Sequence, residues 1–188
     1  MQTSKHSKTL RKRYLILSSI LLLGTILQAQ PGHLGSSCQN EAFEKKINRM
    51  LDFDVPTMGV TRLKKLMEEG KDIQIIDSRT AEEYQVSSIP GASLLTYKDY
   101  TEDDLEAYDK SKPVIVYCSI GYRSEQVAKE LKEAGFEEVY NLYGSIFEWA
   151  NRHYPLTDIR GDTTRLIHGY NRNWAQWIDD REDLKKVW

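Results

Sequence analysis

Pro113-Val114-Ile115-Val116-Tyr117-Cys118-Ser119-Ile120-Gly121-Tyr122-Arg123-Ser124 joins the most apolar short run of the chain's body to a small polar loop. The run Pro113 to Tyr117 has the near-continuous apolar character of a central parallel strand covered on both faces. From Ser124 to Ala134, Val127, Ala128 and Leu131 recur at helical spacing, and Gly135 supplies a stop. Strand, tight loop and helix in that order place Cys118 at the carboxyl end of a strand, where open α/β sheets bind ligands.

The flanking segments repeat the alternation. Ile73 to Asp77 reads as a buried strand, Thr80 to Gln85 as a short helix, and Ile89-Pro90-Gly91-Ala92 as a turn into a strand at Ser93-Leu94-Leu95. Thr101-Glu102-Asp103-Asp104 starts a further helix whose acids suit the macrodipole and form a solvated first turn. Glu138 to Leu142 is the next strand, and Gly144 leads into a helix carrying Ile146, Phe147, Trp149 and Ala150 before Pro155. Upstream, Asn40 to Asp52 shows Phe43, Ile47, Met50 and Leu51 at helical spacing. Val60 begins a short strand, with Thr61 capping a helix over Arg62 to Glu69 that Gly70 ends. Strands alternating with helices at these intervals predict an α/β fold with a central, mostly parallel sheet.

Chemistry concentrates in the loop. A helix N-terminus carries roughly half a positive charge. With Arg123 nearby, it favours an ionised, nucleophilic Cys118 that a substrate can reach. Gly121 permits a tight curve with N–H groups turned inward, an anion nest. The loop by itself leaves two readings open, a buried structural cysteine and a nucleophile.

Ile76-Asp77-Ser78-Arg79, Glu82-Glu83-Tyr84 and Ile89-Pro90-Gly91-Ala92 precede the loop; Gly135-Phe136, Leu142-Tyr143-Gly144 and Trp149 follow it. This ordered set, from about Val60 to Pro155, resembles the rhodanese family. The resemblance implies a rhodanese-like fold with the active loop between a central strand and the following helix. It implies a sulfurtransferase that carries sulfane sulfur on Cys118 as a persulfide. Ser119, Ile120, Gly121, Tyr122, Arg123 and Ser124 would bind the substrate, with Asp77 and Arg79 as structural support. The partners implied are a small sulfur-containing anion or a persulfide as donor, and a thiol, free or on a protein, as acceptor. No metal or organic cofactor is implied, and His33, His153 and His168 show no ligand spacing. The six residues from Cys118 to Arg123 match the loop length that accompanies sulfur transfer; related phosphatases and reductases have longer loops. A non-enzymatic binding or redox-sensing module on the same fold is one alternative, and a thiol-dependent phosphatase or reductase is a second. Two departures stand out. Gly144-Ser145 replaces a frequent Gly-Gly pair, a change expected not to touch the chemistry. Ser119 and Ile120 are uncharged where some thiosulfate-using members are basic.

The chain has 188 residues and a net charge of −2, so no global basic field suits nucleic acid. Residues 1–29 hold five bases and no acid, leaving 21 bases against 28 acids in the rest, a net charge of −7. Arg11-Lys12-Arg13 followed by the apolar run Tyr14 to Leu27 reads as a signal peptide cleaved before Gln30, and predicts a periplasmic or secreted protein. An uncleaved membrane anchor is the alternative, although the run is shorter than the ~20 residues a span prefers. Residues 30–56 are expected to form a linker and N-terminal helix, 57–155 the rhodanese-like domain, and 156–188 an extension packing on it. Within that extension, Asn173 to Lys186 reads as a helix with Trp174, Trp177 and Ile178 on one face, either packed on the domain or open to a partner. Cys38 reads as a free thiol, with lipidation or a disulfide as alternatives.

Overall fold

The computed structural model describes residues 33–188. The expected signal peptide, its cleavage site and the first linker residues lie outside the described residues. Among those described, no helix is long and apolar enough to cross a membrane.

The central sheet contains β1 (His33–Leu34), β2 (Thr57–Gly59), β3 (Gln74–Asp77), β4 (Ser93–Leu94), β5 (Val114–Tyr117) and β6 (Val139–Tyr143). Its order is β1-β2-β6-β5-β3-β4, and every pairing is parallel. β5 lies between β3 and β6, with Val114 and Val116 opposite Gln74 and Ile76 on one side and Val139 and Asn141 on the other. Its four residues are all buried, as a strand covered on both faces requires.

The period of two along β5 separates two apolar layers. Ile115 and Tyr117 face the larger cluster, with residues of α1 (Glu41–Asn48), α2 (Val60–Glu68) and α5 (Ser145–Asn151). Val114 and Val116 face the other, with Val127, Ala128 and Leu131 of α4 (Tyr122–Glu133) and Leu105 of a 3-10 turn at Asp103–Ala107. Between β3 and β4 lies α3 (Ala81–Val86), which opens with a reciprocal cap. The Thr80 hydroxyl accepts from the Glu83 N–H, and the Glu83 carboxylate accepts from the Thr80 N–H.

After α5 come an antiparallel pair, β7 (Leu156–Thr157) with β8 (Thr163–Thr164), and a parallel pair, β9 (Leu166–His168) with β10 (Lys185–Val187). Ile167, Ile178 and Leu184 from this segment join the larger core cluster, and Trp177 stacks on Phe43 of α1 with ring centroids 5.6 Å apart.

Three local expectations are corrected. Val60 opens α2 instead of a strand, and Thr61 is not its cap; the strand is three residues earlier, where Thr57 and Met58 pair with Asn141 and Leu142. The helix expected over Asn173 to Lys186 is a single turn, α6 (Arg172–Ala175). Beyond it the backbone bonds to α5 and β9: Asn151 donates to the Trp177 carbonyl and accepts from the Asp179 N–H, Arg181 donates to the Ala150 carbonyl, and β10 pairs with β9. Tertiary partners for the backbone outweigh helical periodicity there. Finally, α4 begins at Tyr122, two residues before the expected Ser124, so Tyr122 and Arg123 belong to its first turn.

Under β3 and β5 lies an ion pair with no solvent exposure on either side chain, between Asp77 and Arg79. Arg79 donates through Nε to both Asp77 oxygens and through Nη2 to Asp77 at 2.6 Å and to the Ser87 carbonyl at 2.5 Å. Removing one partner strands the other charge in the interior. Asp77→Ala is therefore expected to lower the unfolding free energy by about 3–5 kcal/mol, measured by urea denaturation; a loss within the range of ordinary surface substitutions would contradict this account.

Candidate active site

β5 ends at Tyr117 and α4 begins at Tyr122, so four residues turn the chain from strand into helix. Gly121 makes the turn possible: its φ is +121°, a conformation that a residue with a Cβ rarely adopts. The turn aims the Gly121 N–H back at the Cys118 sulfur, 3.2 Å away.

The loop is held from outside as well. Its carbonyls point away from the sulfur and accept from the start of α5, Cys118 from the Ile146 N–H and Ser119 from the Phe147 N–H, each at 3.2 Å. The Cys118 N–H donates to the Ser145 hydroxyl at 3.2 Å, and that hydroxyl donates to the Leu142 carbonyl at 3.0 Å. Ser145, expected not to touch the chemistry directly, bonds the backbone of Cys118 and not its sulfur, and it does so with φ at +51°. On the other side, Asn141 of β6 donates to the Gly121 carbonyl at 3.0 Å, and the Ser124 hydroxyl lies 2.7 Å from Asn141 Oδ1.

Arg123 projects from the first turn of α4 toward α3. It grips Glu83 with two parallel bonds of 2.7 and 2.8 Å and donates to the Ser119 hydroxyl at 3.0 Å. Ser119 donates in turn to Glu83 at 3.0 Å. Glu83 is almost fully buried, and its closeness to Arg123 was not foreseen from the sequence, although the cap pattern Thr80-x-x-Glu83 was visible there. Burial pushes the Glu83 carboxyl up, but the bonds and charge of Arg123 and the charge of Arg79 prevail and hold it down at about 2.

Burial also pushes the Cys118 thiol up. The Arg123 charge, the N–H groups of Ser124 and Gly121 and the Ser124 hydroxyl overcome it, so the thiol is more acidic than a free cysteine. The side chain is only 1% exposed, yet it opens onto a cavity of about 330 Å³. Ser119, Ile120, Tyr122 and Arg123 line this cavity beside Cys118, while Gly121 and Ser124 sit beneath the sulfur. The rest of the wall comes from distant parts of the chain: Met50 after α1, Tyr97 after β4, and Tyr170 and Trp174 from the C-terminal segment. Asp77 and Arg79 do not line it. Among the described residues no cluster of His, Cys, Asp and Glu could hold a metal ion.

Cys38 is a contrasting environment. It is free and buried, its sulfur packed against Gly144. Burial and the charges of Glu148 and Glu44 push its thiol well above the usual range.

A parallel α/β sheet with an acidified thiol on a helix-capping loop at a strand's carboxyl end defines the class of protein. Residues 59–152 match the rhodanese-like domain family, and the chain belongs to that family. The thiosulfate sulfurtransferase GlpE of Coxiella burnetii is 41% identical over 88 residues, covering 47% of this chain and 80% of that protein. A tRNA uridine(34) hydroxylase of Bdellovibrio bacteriovorus is 28% identical over 112 residues, covering 57% of this chain but 32% of that protein. Among solved structures, the rhodanese-like domain of the Alr3790 protein from Anabaena superimposes with a TM-score of 0.52 at 28% identity, covering 55% of this chain and 80% of that one.

Two measurements follow from the electrostatics. The iodoacetamide reaction of Cys118 should titrate below the ~8.5 of a free thiol, Arg123→Ala should move that midpoint upward, and Cys38 should stay unreacted at neutral pH; an unmoved midpoint would refute the role given to Arg123. The folded pKa of Glu83 lies below the ~4.3 of an unfolded glutamate, so its contribution to stability is complete above that value and disappears as pH falls toward about 2. It amounts to roughly 3 kcal/mol, and Glu83→Gln should remove this part of the acid dependence in denaturation curves taken from pH 5 down to 2.

Proposed function

We propose that this chain is a sulfurtransferase in which Cys118 accepts a sulfane sulfur, holds it as a persulfide and passes it to a thiophilic acceptor. The observation that carries the reading is the Gly121 N–H directed at the Cys118 sulfur from the cap of α4, with the Arg123 charge beside it. A thiolate is the attacking species in sulfur exchange, and these groups stabilise it. The names of the relatives support the same activity.

In the first half-reaction the Cys118 thiolate attacks the outer sulfur of the donor. A new S–S bond forms on Cys118, and the bond from that sulfur to the rest of the donor breaks with its electron pair. Thiosulfate would leave as sulfite; an organic persulfide would leave as a thiolate. In the second, an acceptor nucleophile such as cyanide or a thiolate attacks the terminal sulfur, and the Cys118 thiolate departs. The outer sulfur is transferred as a neutral atom, leaving its bonding pair on the departing group, and no external oxidant is consumed. The negative charge stays within reach of the same N–H groups and helix terminus through both steps. Arg123 would serve mainly by keeping the sulfur ionised, because Glu83 and Ser119 already occupy its guanidinium. Residues 1–29 suggest that this activity is exported to the periplasm or beyond the cell.

Incubation with a sulfane-sulfur donor should add about 32 Da to the intact chain, the mass of one sulfur on Cys118. Cys118→Ser should show no gain and no thiocyanate from cyanide. A serine variant with undiminished transfer would sink the assignment.

A further inference from the structure

The wall of the Cys118 cavity is unusual for a site that receives a small dianion. Met50, Tyr97, Ile120, Tyr122, Tyr170 and Trp174 form most of it, and Arg123 is its single cationic side chain among the described residues. Arg123 is paired with Glu83 through a two-pronged bond, and the Tyr170 ring lies against its guanidinium, the ring centroid 5.2 Å from the guanidinium carbon. Lys46 stands over the Trp174 ring at 5.4 Å but does not line the cavity. A doubly charged donor entering here would lose water and meet one cation, whose charge it would share with Glu83 and the Cys118 thiolate.

The aromatic residues are held in place by the C-terminal segment. Tyr170 has φ at +64°, a left-handed conformation that a tyrosine adopts only under constraint. The constraint is visible on both sides: the Gly169 N–H donates to the Val187 carbonyl of β10, and the Asn171 side chain caps α6 by accepting from the Trp174 N–H. Gly169 lies so close to Ala175 that a Cβ there would come within 2.7 Å of the alanine side chain. These bonds hold the backbone of Tyr170 and Trp174 at the cavity wall beside the thiol.

We propose that the donor used at Cys118 is an organic sulfane-sulfur compound of low charge with an apolar, ring-sized body, such as an aryl thiosulfonate or an organic persulfide. Tyr170 and Trp174 select it over thiosulfate. The proposal rests on the reading of Cys118 as the sulfur-carrying nucleophile. The volume of about 330 Å³ accommodates one aromatic ring with its sulfur-bearing group, and stacking against the two rings supplies the binding. With a thiosulfonate, the Cys118 thiolate takes the outer sulfur, the bond from that sulfur to the sulfonyl group breaks, and the electron pair leaves on a sulfinate. One anion is consumed and one released, so charge and atoms balance.

The test uses the full chain with three donors, thiosulfate, methanethiosulfonate and benzenethiosulfonate, and cyanide as acceptor, reading thiocyanate. Methanethiosulfonate reacts by the same chemistry without the ring. The expected result is a kcat/KM for benzenethiosulfonate about tenfold or more above that for methanethiosulfonate, carried by KM, with thiosulfate lowest. Tyr170→Ala and Trp174→Ala should each reduce the ring-to-methyl ratio by about tenfold, while Tyr170→Phe retains it. Tyr170 is half-exposed, so its alanine variant reports on the wall even if Trp174→Ala fails to fold. Thiosulfate turned over as efficiently as benzenethiosulfonate, or a ratio unchanged by Tyr170→Ala, would overturn the donor assignment and leave Cys118 as a sulfur carrier. No transfer from any donor, together with no mass gain on Cys118, would overturn the sulfurtransferase reading and this inference with it.

Discussion

The ion pair between Arg123 and Glu83 ties the first turn of α4 to α3, and the reactive loop lies between its two ends. Without Glu83, Arg123 would be a long, mobile side chain at a solvent boundary. With it, the positive charge is fixed close enough to Cys118 to outweigh, together with the Gly121 and Ser124 groups, the cost of burying a thiolate. Ser119 completes the arrangement by bonding both partners, so the residue after the cysteine is positioned by the same pair. Desolvation offsets part of the attraction in a buried pair of this sort. Beyond the stability that the ionised Glu83 adds, the pair's value here is geometric.

A second constraint comes from α5. Its first N–H groups find no acceptor within the helix and donate instead to the Cys118 and Ser119 carbonyls. Turning those carbonyls toward α5 leaves the Gly121 N–H free to face the sulfur. Ser145 at the same helix start takes the Cys118 N–H. The loop is thus suspended between two helix N-termini, α4 beneath the sulfur and α5 behind the backbone. Asn141 locks the turn from the neighbouring strand. The two thiols of the described chain show how much this matters: both are buried, but Cys38 faces carboxylates and Cys118 faces N–H groups and a guanidinium, and their acidities shift in opposite directions.

Much of this was readable in the chain itself. The apolar run Val114 to Tyr117, the helical spacing after it, the glycine at 121 and the ordered motifs on either side were enough to place Cys118 at the end of a central parallel strand in a rhodanese-like fold. These features are local: periodicity, turn chemistry and residue order need no knowledge of distant neighbours. The loop residues that line the cavity, Ser119, Ile120, Tyr122 and Arg123, are adjacent in sequence, and for that reason they were legible.

Tertiary structure decided what depends on contacts between remote segments. Thr57 became a strand because β6 offered it a partner, and the expected C-terminal helix stopped after one turn because α5 and β9 offered its backbone better bonds. The partner of Arg123 lies 40 residues away, and no spacing rule links Glu83 to the loop. Tyr170 and Trp174 were visible as aromatic residues in a tail, but only the fold carries that tail across the sheet to the mouth of the Cys118 cavity. The amino-acid order by itself therefore determined the scaffold and the reactive atom, which are encoded by neighbours along the chain. The charge balance and the shape of the site arise from residues brought together through space, and those only the folded molecule could set.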